Sequence, residues 1–594
     1  MVVPSNDKRR YMPGIDGLRA FAVIGVILYH LNIPWFPGGF SGVTVFFVLS
    51  GYLITDILID EWNKNHKINY LSFMVRRFRR LAPALLLMIL LVTVWVTLTN
   101  HPSFEKLRAD FLPSLFYVTN WWYIFREVSY FDSFGSVSPL THIWSLAIEE
   151  QFYLIWPLIV IIGFTFIKRK RFRVLAILVG VIVSAWLMAY LYIPGADPSR
   201  VYYGTDTRAF SLLLGAALAL LWPSQRLSKS LPKQASIVLE SVGITGLLLI
   251  IMMFTMVSQF GHFHYQGGML LLSIITTFVV AALAHPASKL AKWISVKPLR
   301  WMGERSYGIY LWHYPIIALT TPIVNTDGIN VRRITLQIAA TLILSALSYR
   351  YVEFPIRTGQ FKLTLREFKK RPIFQQRMIL ASCAVLLVFI IGIGAVFVTK
   401  TNVIVSVKAP LTISPVDEPV DEPVFNHEPE PEVEEAIIEP DVKAVTIIGD
   451  SILYDVAPFF KNHYPDAMID FRVGRQMSEV PEVIKTLESN GQLGEYVIIQ
   501  VGTNGPFVKT DLEKVIEYLG NKKVILVNCR VPRPWEATVN STLEEVVTSM
   551  PNTTLVDWYG ASAGHAEFFA NDGVHLTKIG GETYANLLVE QIEK

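Results

Sequence analysis

The sequence predicts two architectures in one chain: a polytopic helical membrane region, then an α/β domain with a parallel sheet. Three observations carry that reading. Of 594 residues, 52% are hydrophobic and only 17% are charged, against about 25% charged in an ordinary soluble protein. The apolar residues fall in blocks long enough to cross a bilayer as helices. After residue 441 the pattern changes to short apolar runs separated by helical periods.

The membrane blocks lie near 13–31, 41–60, 80–99, 140–166, 173–193, 204–222, 235–257, 267–285, 304–322, 332–351 and 379–399, about eleven predicted transmembrane helices. The second and ninth have the least defined boundaries and read equally as partly re-entrant. Basic connectors fall between alternate blocks, so all lie on one side: KRR at 8–10, RRFRR at 76–80, KRKRFR at 168–173, then Arg226 with Lys229 and Lys233, Lys289 to Arg300, and 357–377. Positive charge is retained in the cytoplasm. The N-terminus is therefore expected to be cytoplasmic, and an odd number of spans puts everything after Lys400 outside the cell. The first apolar run is followed by more of the same, so it does not read as a cleaved signal. Cys383 and Cys529 are expected in different compartments, without a disulfide.

Residues 401–441, rich in Pro and Glu with no apolar period, read as an extended, self-repelling tether. The expected domains are thus 1–358 (ten helices in the bilayer), 359–400 (a basic connector and the eleventh helix), 401–441 (linker) and 442–594 (the α/β domain). In the last, strand-like runs at 444–448, 496–501, 523–527 and 553–556 alternate with helical patterns such as 508–520 and 578–592. That alternation implies a parallel sheet with helices on both faces.

Candidate chemistry sits at both ends. VTIIGDS at 445–451 is a buried strand running into a Gly-Asp-Ser turn, and NDGVH at 571–575 places Asp572 and His575 three residues apart. A serine at a strand end with a distant Asp and His is the minimum set for nucleophilic acyl chemistry. Ser451 would stand at the carboxyl edge of the sheet, where open α/β sheets place ligands. Its backbone N–H, at a helix start, can donate to an oxyanion. Each residue has a plain alternative: Ser451 as a helix N-cap, Gly474, Gly502 and Asn504 as turn residues, His575 as a surface histidine. Asp450 reads as structural, and His565 belongs to no motif.

In the first helix, Arg19 and His30 are eleven residues apart, three turns, hence on one face and about 16 Å apart. Ionisable groups within a membrane helix are costly and usually functional, unless both sit at the interfaces. Arg76, Arg77, Arg79 and Arg80 suit phosphate contact and equally suit simple positive-inside anchoring.

The blocks GDS at 449–451, Gly474 in VGRQ, GTN at 502–504 and DGVH at 572–575 together resemble the SGNH/GDSL hydrolase superfamily, across the whole C-terminal domain. That resemblance implies a flavodoxin-like three-layer fold. It gives Ser451, Asp572 and His575 the catalytic roles, and Ser451, Gly474 and Asn504 the oxyanion hole. IDGLRAFAVIGVILYH, GGFSGVTVFFVLSGYLI, RRFRRLAP, THIWSLAIEEQFYLIWP and SYGIYLWHYP resemble the acyltransferase-3 family of membrane acyltransferases, over roughly 10–355. It implies acyl transfer involving His30 and Arg19 from cytoplasmic acyl-CoA. Glu149 matches the family's glutamate, Glu150 is less securely placed, Arg208 could line the acceptor path, and His313 is a lesser candidate. The fused arrangement resembles the bacterial peptidoglycan O-acetyltransferases. This implies an enzyme of the cell membrane with acetyl-CoA as donor and no bound cofactor. Its acceptor would be the C6 hydroxyl of N-acetylmuramic acid in peptidoglycan glycan strands, and its product would block lysozyme. Left open are another surface glycan (a teichoic acid or exopolysaccharide), an anchored extracellular esterase, and an acyl exporter with a binding module. Metal clusters and P-loops are not apparent, and basic stretches on membrane connectors do not suggest nucleic-acid binding.

Overall fold

The computed structural model describes residues 10–126, 128–130, 137–193, 197–257, 261–322, 330–358, 373, 444–472, 474–531, 533, 535–570 and 573–594. The eleventh predicted segment, the 401–441 tether, Cys383 and Asp572 lie outside the described residues.

Each of the first ten predicted blocks corresponds to a helix. Among the described residues, eight helices are long and apolar enough to cross a membrane. The second block, expected to be doubtful, is one of these. Pro13–His30 and Ser306–Thr320 are not. At about 1.5 Å per residue, the 15 residues of Ser306–Thr320 reach only about 23 Å, short of the roughly 30 Å hydrocarbon core. Both helices are largely buried among the others.

Two boundaries differ from the sequence reading. RRFRR at 76–80 is not a connector: it lies within helix Tyr70–Leu98. The side chain of Asn69 accepts from the Ser72 N–H at 3.0 Å and so starts the helix upstream of the arginines. Long arginine stems lie along apolar surface while their heads stay polar, so the basic run does not break the helix. The stretch between the third and fourth predicted blocks contains two short helices, Phe104–Leu115 and Thr119–Phe125.

Close helix crossings are made by small residues. Gly42–Asn65 meets Thr205–Leu221 where a methyl group on Gly51 would sit 1.9 Å from the Leu212 carbonyl oxygen, and one on Gly215 would sit 2.1 Å from that of Val48. Without water to drive association, such backbone approach supplies the dispersion contacts that hold membrane helices together.

The C-terminal unit has a five-stranded, all-parallel sheet of order β2-β1-β3-β4-β5, with β1 Val445–Gly449, β2 Met468–Phe471, β3 Tyr496–Gln500, β4 Lys523–Val527 and β5 Thr553–Val556. Every side chain of β1 and β3 is buried, as expected of central strands covered on both faces. Strand β2, absent from the sequence reading, is a half-exposed edge strand whose Asp470 interrupts any apolar run. Helices Lys509–Leu519 and Lys578–Glu593 fall where the helical periods indicated. Cys529 is a buried thiol in this core, its pKa pushed up by desolvation.

Gly51→Ala is expected to force the two membrane helices apart at a cost of about 1–3 kcal/mol. The measurement is thermal unfolding of detergent-solubilised protein, where the variant should melt earlier than wild type.

Candidate functional site

At the carboxyl edge of the sheet, β1 ends and the chain turns at Asp450 into helix Ile452–Phe460. Ser451 stands at the start of that helix and is 4% exposed. Its side chain makes no capping hydrogen bond, so its position is not accounted for by helix capping.

Four side chains tie the strand-end loops together. Arg475, 5% exposed, donates to the Gly449 carbonyl at 3.1 Å and the Asp470 carbonyl at 2.8 Å, and pairs with the Asp470 carboxylate. This pins the turn containing Gly474, whose φ of +77° lies in the left-handed region that glycine tolerates. Gln476 donates from Nε2 to the Asn504 carbonyl at 2.9 Å, joining that turn to the loop after β3. Gln500, the last residue of β3, accepts the Asp450 N–H at 3.1 Å and donates to Thr503 Oγ1 at 3.2 Å. Asp455, one turn along the serine's helix, accepts the Leu576 N–H at 2.9 Å. The loop around His575 is closed by Ala570 N–H donating to the His575 carbonyl at 2.7 Å. None of Arg475, Gln476, Gln500 or Asp455 was singled out by sequence, because a single polar residue in a turn, at a strand end or on a short helix carries no periodic signal. Their role is visible only once the loops share an edge.

Asn504 is 4% exposed, and its amide nitrogen is buried without a hydrogen-bond acceptor among the described residues. A buried donor left unsatisfied costs about 1–3 kcal/mol, a state that suits a group awaiting a ligand oxygen. Asp450 is fully buried. Burial pushes its carboxyl up to about 6, opposed by the Ile452 N–H, Thr503, Gln500 and the nearby charge of His575. Glu536 is likewise raised to about 7 by burial, while it accepts the Val531 N–H at 2.7 Å. His565 lies apart, paired with Glu567 at 2.8 Å on an exposed turn.

The helical half contains a second constellation. A cavity of ≈ 170 Å³ is lined by Arg19, Arg77, Arg80 and Glu149 together with Ser50, Tyr153 and Tyr310. Three guanidinium groups against one carboxylate leave it positive. The arginine cluster divides by helix face: Arg77 and Arg80, at an i, i+3 spacing, face the cavity, while Arg76 and Arg79 are exposed. Arg76 pairs with Glu61 at 3.1 Å. Arg19 lies 3.5 Å from Asp16. Glu149 accepts from Ser50 Oγ at 3.0 Å and from Tyr153 at 2.9 Å. Glu150 is not among the lining residues.

Arg208 is fully buried, donating to Thr44 Oγ1 at 2.9 Å and lying 5.0 Å from the Tyr202 ring centroid. His30 is not among the residues lining this cavity. Its Nε2 is 2.9 Å from the Tyr130 hydroxyl and its Nδ1 is 3.0 Å from His313 Nε2. His142 lies beside them, its ring centroid 5.7 Å from that of His313. Tyr130 and His142 were missed by sequence reasoning; each is one polar residue among many aromatics. Among the described residues, no three His, Cys, Asp or Glu side chains are grouped as a metal site.

A family model described as an acyltransferase domain matches residues 12–350. The chain is 43% identical to peptidoglycan O-acetyltransferase OatA of Listeria monocytogenes, covering 99% of both chains. It is 40% identical to the putative peptidoglycan O-acetyltransferase YrhL of Bacillus subtilis, covering 98% of this chain and 99% of that one. With O-acetyltransferase OatA of Staphylococcus aureus the identity is 37%, over 98% of this chain and 96% of the other. The solved C-terminal catalytic domain of Streptococcus pneumoniae peptidoglycan O-acetyltransferase A, carrying a methylsulfonyl adduct, matches at 22% identity. That match covers 26% of this chain and 93% of that one, with a TM-score of 0.24.

The elevated Asp450 pKa has a testable sign. Between its ordinary value near 4 and the folded value of about 6, the folded state holds the proton more tightly. This stabilisation is complete below pH 4 and is lost as pH rises through 6, an effect of about 3 kcal/mol. Asp450→Asn is expected to remove that loss, so the stability difference between variant and wild type should grow in the variant's favour from pH 4 to 6. Urea unfolding of a 442–594 fragment over that range measures it.

Proposed function

Because the chain belongs to the acyltransferase-domain family and, along its whole length, to the peptidoglycan O-acetyltransferases, we propose that it carries acetyl groups from cytoplasmic acetyl-CoA across the bilayer and places them on the C6 hydroxyl of N-acetylmuramic acid. O-acetylation of the wall is the product, and resistance to lysozyme its consequence. The observation that carries the proposal is the joining, in one chain, of an arginine-lined cavity in the helical half to a serine site whose strand-end loops are tied together. The family match and the full-length relatives support the same reading.

On the donor side, Arg19, Arg77 and Arg80 supply positive charge for the phosphates of a nucleotide donor, since guanidinium groups bind phosphate bidentately. Glu149, fixed by two hydroxyls, keeps the cavity polar beside them. His30 is the base or acyl acceptor of the membrane half. Arg208, buried beside Tyr202, belongs to the path toward the outer side. The N-terminus is cytoplasmic and the C-terminal unit is extracellular, so cavity and serine site face opposite compartments.

On the acceptor side, Ser451 Oγ attacks the acetyl carbonyl and its proton passes to His575, held in its working tautomer by Asp572. The oxyanion is met by the backbone N–H groups of Ser451 and Gly474 and by the Asn504 amide. The donor's leaving group departs with the proton that His575 returns to it, and an acetyl-serine and a neutral His575 remain. His575 then takes the proton of the muramoyl hydroxyl, whose oxygen attacks the acetyl-serine, and Ser451 leaves with its proton restored.

Ser451→Ala is expected to reduce muropeptide O-acetylation in a strain lacking other wall O-acetyltransferases to background, as read by mass spectrometry. Unchanged acetylation would reject the serine's role. Asn504→Ala should lower the transfer rate about 10²–10³-fold without loss of protein from the membrane, measured with acetyl-CoA-energised vesicles and a soluble muramoyl glycan.

A further inference from the structure

The hydrogen bonds around His30 fix where its proton sits. His313 is fully buried, and its Nδ1 lies 2.6 Å from the backbone carbonyl of Tyr310. A carbonyl oxygen only accepts, so Nδ1 of His313 carries a hydrogen. Among the described residues no carboxylate contacts this ring, and a buried charge without a partner is expensive, so His313 is neutral. Its other nitrogen, Nε2, is then a lone pair. That lone pair is 3.0 Å from His30 Nδ1, which must therefore carry a hydrogen. His30, neutral for the same reason, is left with its lone pair on Nε2, the atom 2.9 Å from the Tyr130 hydroxyl. Direction thus propagates from the Tyr310 carbonyl through two imidazoles to a hydroxyl, and the Val26 backbone carbonyl, one turn before His30, is a further acceptor for it.

We propose that His313 is the positioning residue of the membrane half, holding His30 as the Nδ1-protonated tautomer so that its Nε2 is presented as a base. The inference rests on the reading that His30 takes part in acyl transfer. When a hydroxyl facing His30 gives up its proton, the O–H bond breaks and an N–H bond forms at Nε2. The resulting imidazolium keeps its Nδ1–H on His313, which supplies the acceptor that a carboxylate provides in a Ser-His-Asp arrangement. A neutral acceptor suits a membrane interior better, because a second charge would need its own partner. The carbonyl that orients His313 belongs to its own helix, Ser306–Thr320, so the ring cannot reverse its tautomer without losing that bond. His142 does not compete for the role. Its Nε2 faces the Leu311 carbonyl at 3.2 Å, so it points its hydrogen at a different acceptor.

The experiment compares two replacements of similar volume in the full-length protein in membrane vesicles. His313→Gln keeps an acceptor near the position of Nε2, and His313→Met does not. Acetyl transfer from acetyl-CoA is measured as kcat and KM, with His30→Ala in parallel. The expected result is a loss in kcat of about tenfold or more for His313→Met, KM for acetyl-CoA within about twofold of wild type, and substantial recovery in His313→Gln. Adding His313→Met to His30→Ala should cost nothing further. If His313→Met keeps wild-type kcat while His30→Ala is inactive, the positioning role is overturned and the reading of His30 stands. If His30→Ala is itself active, that reading fails first. If both His313 variants lose kcat equally while remaining folded by melting temperature, a requirement for the imidazole itself replaces the acceptor role, which also overturns the proposal.

Discussion

Inside a bilayer there is no water to satisfy a polar group, so every one that enters must find a protein partner. That constraint organises the helical half. Glu149 is held by Ser50 and Tyr153, Arg208 by Thr44 and the aromatic faces of Phe47 and Tyr202, and His30 by His313 and Tyr130. Each satisfied group fixes its neighbour, and the close crossing at Gly51 and Gly215 brings the helices near enough for short side chains to meet. A polar interior of this kind costs stability that a purely apolar bundle would keep.

The α/β unit solves a different problem. Its candidate site residues come from the chain that follows β1, β2 and β3 and from a turn before the last helix. Such loops are free to drift unless bound to each other. Arg475 and Gln476 bind them from the turn after β2, Gln500 from the end of β3 and Asp455 from the serine's helix. Because these ties are hydrogen bonds to backbone groups, they fix position without depending on which side chain the neighbouring loop carries.

How much of this was legible follows from how each feature is encoded. Ten helices were readable because apolar blocks are long and repeated, three strands because central parallel strands are continuous apolar runs, and the edge strand β5 because 553–556 still forms a short strand-like run. Strand β2 was not, since MIDF at an edge holds a charge and too few apolar residues. Ser451, Gly474, Asn504 and His575 were singled out through motif blocks, and the structure sets the first three on adjoining turns at one sheet edge. The split of four arginines into Arg77 and Arg80 inward, Arg76 and Arg79 outward, was implicit in helical spacing but hidden once 76–80 was read as a connector. His313 was visible only as a lesser intramembrane histidine, and Tyr130 not at all. Their meaning lies in contacts with His30 from 283 and 100 positions away, which no local pattern reports.

The central claim is that an acetyl group travels from one side of the membrane to a serine on the other. It is tested most directly by sidedness. Vesicles of known orientation are given isotopically labelled acetyl-CoA on the cytoplasmic face only, without glycan acceptor, and the protein is digested for peptide mass spectrometry. The account predicts label on the peptide containing Ser451, lost in His30→Ala and discharged when a muramoyl glycan is added outside. Label that reaches Ser451 only when acetyl-CoA is supplied on the outer face, or label on Ser451 that persists in His30→Ala, would contradict it.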